Sequence, residues 1–251
     1  MSRRKSFFES RNPVMNEKAF HNATQNVNPA ITRGETMTVQ GAINKTFILT
    51  AIMLATAVVG YANPSPLFMW GGAIAGLVVV LIASSRPQMS GTLAPIYAGL
   101  EGLFVGSVSA IYASMFNGII FQAVTLTMAV LFMMLFIYKT GIIKVTQKFR
   151  AGIVMATGAI FVVYLVSFVL SFFGITVPYL HSAGPIGIGI SLVIIAVAAL
   201  NLLLDFDNFE KGEQYKAPAY MEWFSAMGLL ITLVWLYIEI LRLIAIFSSS
   251  D

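Results

Sequence analysis

The 251-residue chain is 58% hydrophobic and only 10% charged, with a mean hydropathy of +0.83. A soluble fold cannot bury that much apolar surface, and the apolar residues fall in blocks of about 18 to 25, the length that crosses a bilayer. The net charge of +4 does not indicate nucleic-acid binding, because seven of the fifteen basic residues lie in the first 45 positions, ahead of the first apolar block. The sequence contains no cysteine, which excludes disulfide frameworks, zinc–thiolate sites and cysteine nucleophiles.

The order of polar and apolar segments predicts an all-α membrane protein, a bundle of seven transmembrane helices. Residues 1–44 are polar with little apolar periodicity, so we expect a disordered cytoplasmic tail there. Residues 45–247 are expected to form the transmembrane domain and 248–251 a short C-terminal tail. The predicted spans are 46–62, 67–84, 93–115, 118–138, 151–173, 185–204 and 219–247.

Charge in the connecting loops predicts the orientation. Loops one, three and five contain no Lys or Arg, whereas loops two, four and six contain seven basic residues. With the tail included, fourteen of the fifteen basic residues lie on one side, which the positive-inside rule assigns to the cytoplasm. Arg242, near the end of the seventh span, is the exception. The N-terminus is therefore predicted to be cytoplasmic.

The third span combines glycines with a carboxylate. Gly99, Gly102 and Gly106 are spaced by three and four, so they share one helix face on which a neighbouring backbone can approach closely. Glu101 lies among them, about eight residues or roughly 12 Å from the cytoplasmic end, too deep for easy snorkelling. A carboxylate at this depth is a candidate functional group.

An acidic run closes the sixth span. The segment LLLDFDNFEKGE places Asp205, Asp207, Glu210 and Glu213 within nine residues, beside a leaflet that favours basic side chains. Asp207 and Glu210 are three apart and can converge. Carboxylate oxygens suit calcium, but the spacing is not that of an EF-hand loop. Glu210 and Glu213 also fit a merely solvated loop.

The seventh span contains Glu222 near its cytoplasmic start, Thr232 near its middle, and Glu239 in its outer half. Glu239 and Arg242 are three apart and can form an ion pair on one helix face, which favours a structural role. Glu222 is close enough to the membrane surface to face either water or Asp205.

Signatures of catalysis are missing from the sequence. It contains no HExxH zinc helix, no GxSxG elbow and no glycine-rich phosphate loop. His21 lies in the tail and His181 in an outer loop, and the seventh span offers no lysine for a Schiff base. We therefore expect a protein that is not an enzyme and needs no cofactor; whether it holds a metal ion is left open.

Three segments resemble the Bax inhibitor-1 family of transmembrane Bax inhibitor motif proteins, in particular its bacterial Bax inhibitor-1-like branch. They are APIYAGLEGLFVG in the third span, ALNLLLDFDNFEKG closing the sixth and AMGLLITLVWLYIEILRLI in the seventh. The resemblance covers residues 45–247 and excludes the tail. It implies a bundle in which helix seven is surrounded by the other six, in a cell membrane.

The resemblance also implies a pH-sensitive cation leak, chiefly of calcium, gated by two aspartates on helices six and seven. When the two aspartates share a proton, the cytoplasmic side of the channel is closed. When both aspartates ionise, their repulsion opens it. Asp205 matches the first aspartate, but Thr232 occupies the position of the second and cannot ionise. Glu239, Glu222, Asp207 and Glu101 remain candidate partners of Asp205.

We predict a pH-sensitive calcium leak channel whose partners are lipid, calcium ions and protons. The alternative is a regulator that does not transport ions and binds other membrane proteins, such as a membrane protease, through its helix faces and its tail. A third possibility is a small-solute transporter, for which the clue is a helix broken at Pro95.

Overall fold

The computed structural model describes residues 36–174 and 184–249, so the predicted tail up to residue 35 and His181 lie outside the described residues. Within this part of the chain, seven helices are long and apolar enough to cross a membrane. The predicted fold class is confirmed. The helices are α1 (Val39–Ala62), α2 (Gly72–Ser85, after a π-helical turn at Leu67–Gly71), α3 (Ser90–Met115, after a 3₁₀ turn at Pro87–Met89), α4 (Ile119–Thr140), α5 (Gln147–Ser171), α6 (Pro185–Gln214) and α7 (Tyr220–Ser248).

Local sequence signals account for several helix ends. Thr38 caps α1, since its hydroxyl accepts from the Gly41 amide at 2.9 Å, and Thr146 caps α5 by accepting from the Phe149 amide at 3.2 Å. Pro185 opens α6 at the position where its missing N–H costs nothing. Gly141, with φ of 68°, follows α4 in the left-handed conformation that ends helices.

Two helices extend beyond the ends of the predicted spans. Helix α1 begins at Val39 rather than at 46, and α6 continues to Gln214 rather than ending at 204. Hydropathy stops at the first charges, but Phe206 and Phe209 remain buried against the bundle and keep the chain helical. The acidic run therefore lies on the last turns of a helix, and α3 runs unbroken through Pro95.

Helix α7 is the central element, as the sequence predicts. More of its membrane-spanning window is buried than in any other span described. It packs against α1, α3, α4 and α6. Helix α5 is the opposite extreme, with Arg150 and Ile153 as its buried residues and α6 as its main neighbour.

The glycine face of α3 lets α1 approach until the backbones touch. A Cβ on Gly102 would lie 2.2 Å from the carbonyl oxygen of Met53, and one on Gly106 would lie 2.0 Å from that of Ala57. Gly60 of α1 reciprocates, since its Cβ would lie 2.5 Å from the Leu103 carbonyl oxygen. The small-residue contact predicted for α3 is therefore confirmed, with α1 as the partner.

This contact predicts that Gly106→Ala lowers the free energy of unfolding by roughly 1–3 kcal/mol, because the added methyl group forces α1 and α3 apart. The measurement is unfolding in mixed detergent micelles. Gly158→Ala on α5 is the matched control, since its Cβ meets open space. The control should be neutral or stabilising, by up to about 1 kcal/mol. Equal losses in both variants would contradict the packing argument.

Candidate functional site

Asp205 is the most deeply buried carboxylate of α6, with 2% of its surface exposed. Its carboxyl group faces the hydroxyl of Thr232 on α7, and that hydroxyl donates to the carbonyl oxygen of Gly228 at 3.3 Å. The second oxygen of Asp205, Oδ2, has no hydrogen-bond partner among the described residues. Thr232, which the family resemblance places at the position of a second aspartate, is thus the α7 side chain that faces Asp205.

Arg150 of α5 is the buried cation beside this carboxylate. It donates to the Asn208 amide oxygen at 2.9 Å and forms an ion pair with Asp207, which Lys211 joins at 3.1 Å. Arg150 is 4% exposed, so its charge depends on these partners. Asp207 therefore neutralises Arg150 and does not pair with Asp205.

A second contact joins α5 to α6 seven residues, or about two helical turns, deeper in the membrane. The Asn201 side-chain amide donates to the Thr157 hydroxyl at 2.8 Å and to its own helix at the Val197 carbonyl. The Arg150–Asn208 and Thr157–Asn201 pairs define the antiparallel register of the two helices. In that register, Asp205 lies opposite the turn of α5 between Arg150 and Thr157.

A third polar contact joins α5 to the outer half of α7. The Tyr164 hydroxyl donates to Glu239 at 2.6 Å and accepts from Arg242 at 2.5 Å, while Arg242 and Glu239 form the predicted ion pair at 3.5 Å. Glu239 is 4% exposed. This cluster lies seven residues, about 10 Å, beyond Thr232 along α7, so Glu239 is not in contact with Asp205.

Glu101 lies in another part of the bundle. It lies beside Tyr97 of its own helix and faces α2, where a Cβ on Gly76 would lie 3.2 Å from its carboxylate. The structure therefore places Glu101 at the α2–α3 contact and not with Asp205.

Glu222 holds the start of α1. Its carboxylate accepts from the Thr38 amide at 2.9 Å and from the Thr38 hydroxyl at 3.1 Å, and Lys45 pairs with it at 3.2 Å. Glu213 accepts from the Val39 amide at 3.2 Å. Both carboxylates thus bind free N–H groups at the positive end of the helix dipole, which is a structural task.

The remaining acidic residue, Glu210, turns towards α4. It accepts from the Tyr138 hydroxyl at 2.8 Å and lies 3.6 Å from Lys139. The expectation that Asp207 and Glu210 converge is therefore wrong, because one residue faces α5 and the other α4. Nor do three or more His, Asp or Glu side chains come together anywhere in the described ranges to hold a metal ion.

Five residues of this site were not predicted from the sequence, although their spacing along the helices indicates that they share a face. Asn201 and Asn208 flank Asp205 by four and three residues, which makes one polar stripe on an apolar helix. On α5 the missed residues recur every seventh position: Arg150, Thr157 and Tyr164. Together these residues form a row of polar contacts between α5 and the α6–α7 pair, the polar seam.

The described residues contain seven membrane-spanning helices, one of them central, with carboxylates and a buried arginine at membrane depth. These features define a multi-pass membrane protein of channel-like organisation. The model of the Bax inhibitor 1 like family matches residues 12–249, and the chain belongs to that family. No curated protein matches the chain. The family match begins at residue 12, so the expectation that the tail lies outside the resemblance is wrong.

The seam predicts unequal costs for two neutralised carboxylates of α6. Asp207→Asn leaves the buried Arg150 without its counterion and should lower the free energy of unfolding by about 3 kcal/mol. Glu210→Gln, the matched control, removes the more exposed pair with Lys139 and should cost less than about 1 kcal/mol. Unfolding in mixed micelles measures both, and a larger cost for Glu210→Gln would refute this assignment.

Proposed function

We propose that the protein is a pH-sensitive cation leak channel, not an enzyme, and that Asp205 is its gate. The observation that carries the proposal is a carboxylate 2% exposed at membrane depth whose Oδ2 has no hydrogen-bond partner in the described part of the chain. Such a group is costly in hydrocarbon, and function is the usual reason for its presence.

The gate works through the single hydrogen of the Thr232 hydroxyl. When that hydrogen points to the Gly228 carbonyl, the Thr232 oxygen is free to accept a hydrogen bond from a protonated Asp205. An ionised Asp205 needs donors, and Thr232 supplies at most one. The remaining negative charge then draws water and a cation between the helices, since a lone buried charge is unfavourable. Protonation closes the path and ionisation opens it, without the second aspartate of the family.

Other charged groups around α6 are already engaged, which leaves Asp205 as the group that titrates the gate. On α5 the buried cation is Arg150, which is paired with Asp207. Polar groups on the other helices near the membrane-surface end of α6 are also paired. Tyr138 and Lys139 contact Glu210, and Lys45 contacts Glu222.

Calcium is the cation we assign, because carboxylate, amide and hydroxyl oxygens are the ligands that hard cations prefer. We place the protein in the cell membrane, with the basic helix ends around Lys45, Lys139, Arg150 and Lys211 on the cytoplasmic side. The positive-inside rule supports this orientation. Asp205 then lies near the cytoplasmic entrance.

Calcium flux into liposomes that contain the purified chain tests the proposal. Flux should rise between pH 6 and pH 8, because one titrating carboxyl changes the open fraction by up to about tenfold per pH unit. Asp205→Asn cannot ionise, so its flux should be low and change less than about twofold over the same range.

Glu213→Gln is the control for the flux experiment. It also neutralises a carboxylate of α6, but one that is exposed and binds the Val39 amide. Its pH profile should equal that of the parent chain. A pH profile of Asp205→Asn that matches the parent would rule out this gate.

The second candidate function is a regulator that binds other membrane proteins and carries no ions. The observation in its favour is that the family match extends from residue 12 through the N-terminal segment. Just before α1, the Met37 amide donates to the Ala217 carbonyl in the α6–α7 connection at 2.7 Å. Deleting residues 1–35 separates the two functions. A leak channel should keep its flux after this deletion, whereas a regulator should show no flux and lose its captured partner.

A further inference from the structure

Helix α5 is attached to the bundle by polar contacts at a regular spacing. Arg150, Thr157 and Tyr164 are seven residues apart and therefore lie on nearly the same face. Each contacts a polar group of α6 or α7: Asn208 and Asp207, then Asn201, then Glu239 and Arg242. Along the helix axis the three contacts cover about 21 Å, roughly two thirds of a bilayer core.

Apolar packing adds little to the attachment of α5. Only 6% of its membrane-spanning window is buried, against 61% for α7. Gly152 and Gly158 of α5 meet open space, in contrast to the glycines of α3, which touch a neighbouring backbone. The apolar contact of α5 with α6 is one small cluster around the buried residues Ile153 and Leu204, and the main core of the described residues contains no residue of α5. Separation of α5 from α6 and α7 therefore exchanges a few hydrogen bonds for water and opens this small cluster, but leaves the main core intact.

We propose that the polar seam between α5 and the α6–α7 pair is the route by which cations cross the membrane, with Thr157 and Asn201 as positioning residues beyond the Asp205 gate. This inference rests on the proposed leak function. Asp205 lies in the register of the seam between its first two contacts. Oxygens of Asn201, Thr157, Tyr164 and Glu239 continue the route towards the far side.

Buried polar atoms without partners distinguish this seam from simple polar adhesion. Asp205 Oδ2 and Arg150 Nε are buried without a hydrogen-bond partner in the described residues, and both side chains lie along the seam. Helices held together by polar contacts alone gain nothing from leaving such atoms unpaired. A hydrated seam satisfies them.

An apolar cavity elsewhere in the bundle is a poor alternative route. It has a volume of about 510 Å³ and lies between α1, α3, α4 and α7. Its lining is mostly aliphatic, with residues such as Leu54, Val124 and Leu233, and a cation there would lose hydration without gaining ligands. Thr127 lines this cavity and hydrogen-bonds its own helix at the Ala123 carbonyl, so it provides a control position.

The test uses a cationic thiol reagent, trimethylammonium-ethyl methanethiosulfonate, on single cysteines placed in a chain that has none. Thr157→Cys and Thr127→Cys are each purified, placed in liposomes and assayed for calcium flux and, by intact mass, for labelling. Labelling of Thr157→Cys should lower flux at least about fivefold, because a fixed positive charge repels cations in the seam. The Thr127→Cys variant should keep its flux after the same treatment.

Two further variants keep the test independent of the reagent. Thr157→Ser retains the hydroxyl and should conduct like the parent chain, whereas Thr157→Val, which has nearly the same shape, should conduct less. Flux in all variants with no effect of labelling or of Thr157→Val would overturn the seam while leaving the leak function standing. Block at Thr127→Cys instead would move the route to the apolar cavity. A parent chain without flux would overturn the leak function itself.

Discussion

Hydrocarbon offers no hydrogen-bond partner, so every polar side chain within the seven spans has to be satisfied inside the bundle. This constraint explains the arrangement around α5. Three of its polar residues, Arg150, Thr157 and Tyr164, recur every seventh position and contact α6 or α7. The buried cation Arg150 imposes the strictest demand, and Asp207 and Asn208 meet it. The position of Asp205 follows from that contact, since Asp205 lies on the same turn of α6 as Asp207 and Asn208.

The bundle contains two kinds of helix contact, one through glycines and one through polar side chains. Helices α1 and α3 meet through glycines at backbone distance, a contact that cannot widen without losing its van der Waals energy. Helix α5 meets its neighbours through hydrogen bonds that water can replace. In the proposed leak pathway, the α1–α3 contact provides the fixed wall and α5 provides the movable one.

In the proposed gate, Thr232 stands where the family resemblance implies a second aspartate, and this changes how the gate titrates. A pair of carboxylates opens by mutual repulsion and titrates as a pair. A carboxylate beside a hydroxyl has one titrating group, so any pH response through this gate involves a single proton. The carboxylates considered as replacements have other partners: Glu239 binds Tyr164 and Arg242, Glu222 binds Thr38 and Lys45, and Glu101 faces Gly76.

The sequence by itself determined the number of spans, the central place of α7, the glycine contact of α3 and the Glu239–Arg242 pair. Each depends on hydropathy, on spacing within one helix or on the family resemblance. It also singled out Asp205, because a carboxylate in an apolar run is visible without a structure. Only the tertiary structure decided the partners of the other carboxylates, since Asp207, Glu210 and Glu222 face three different helices. Spacing along a helix sets the face on which a residue lies, but the neighbour on that face depends on how distant segments pack.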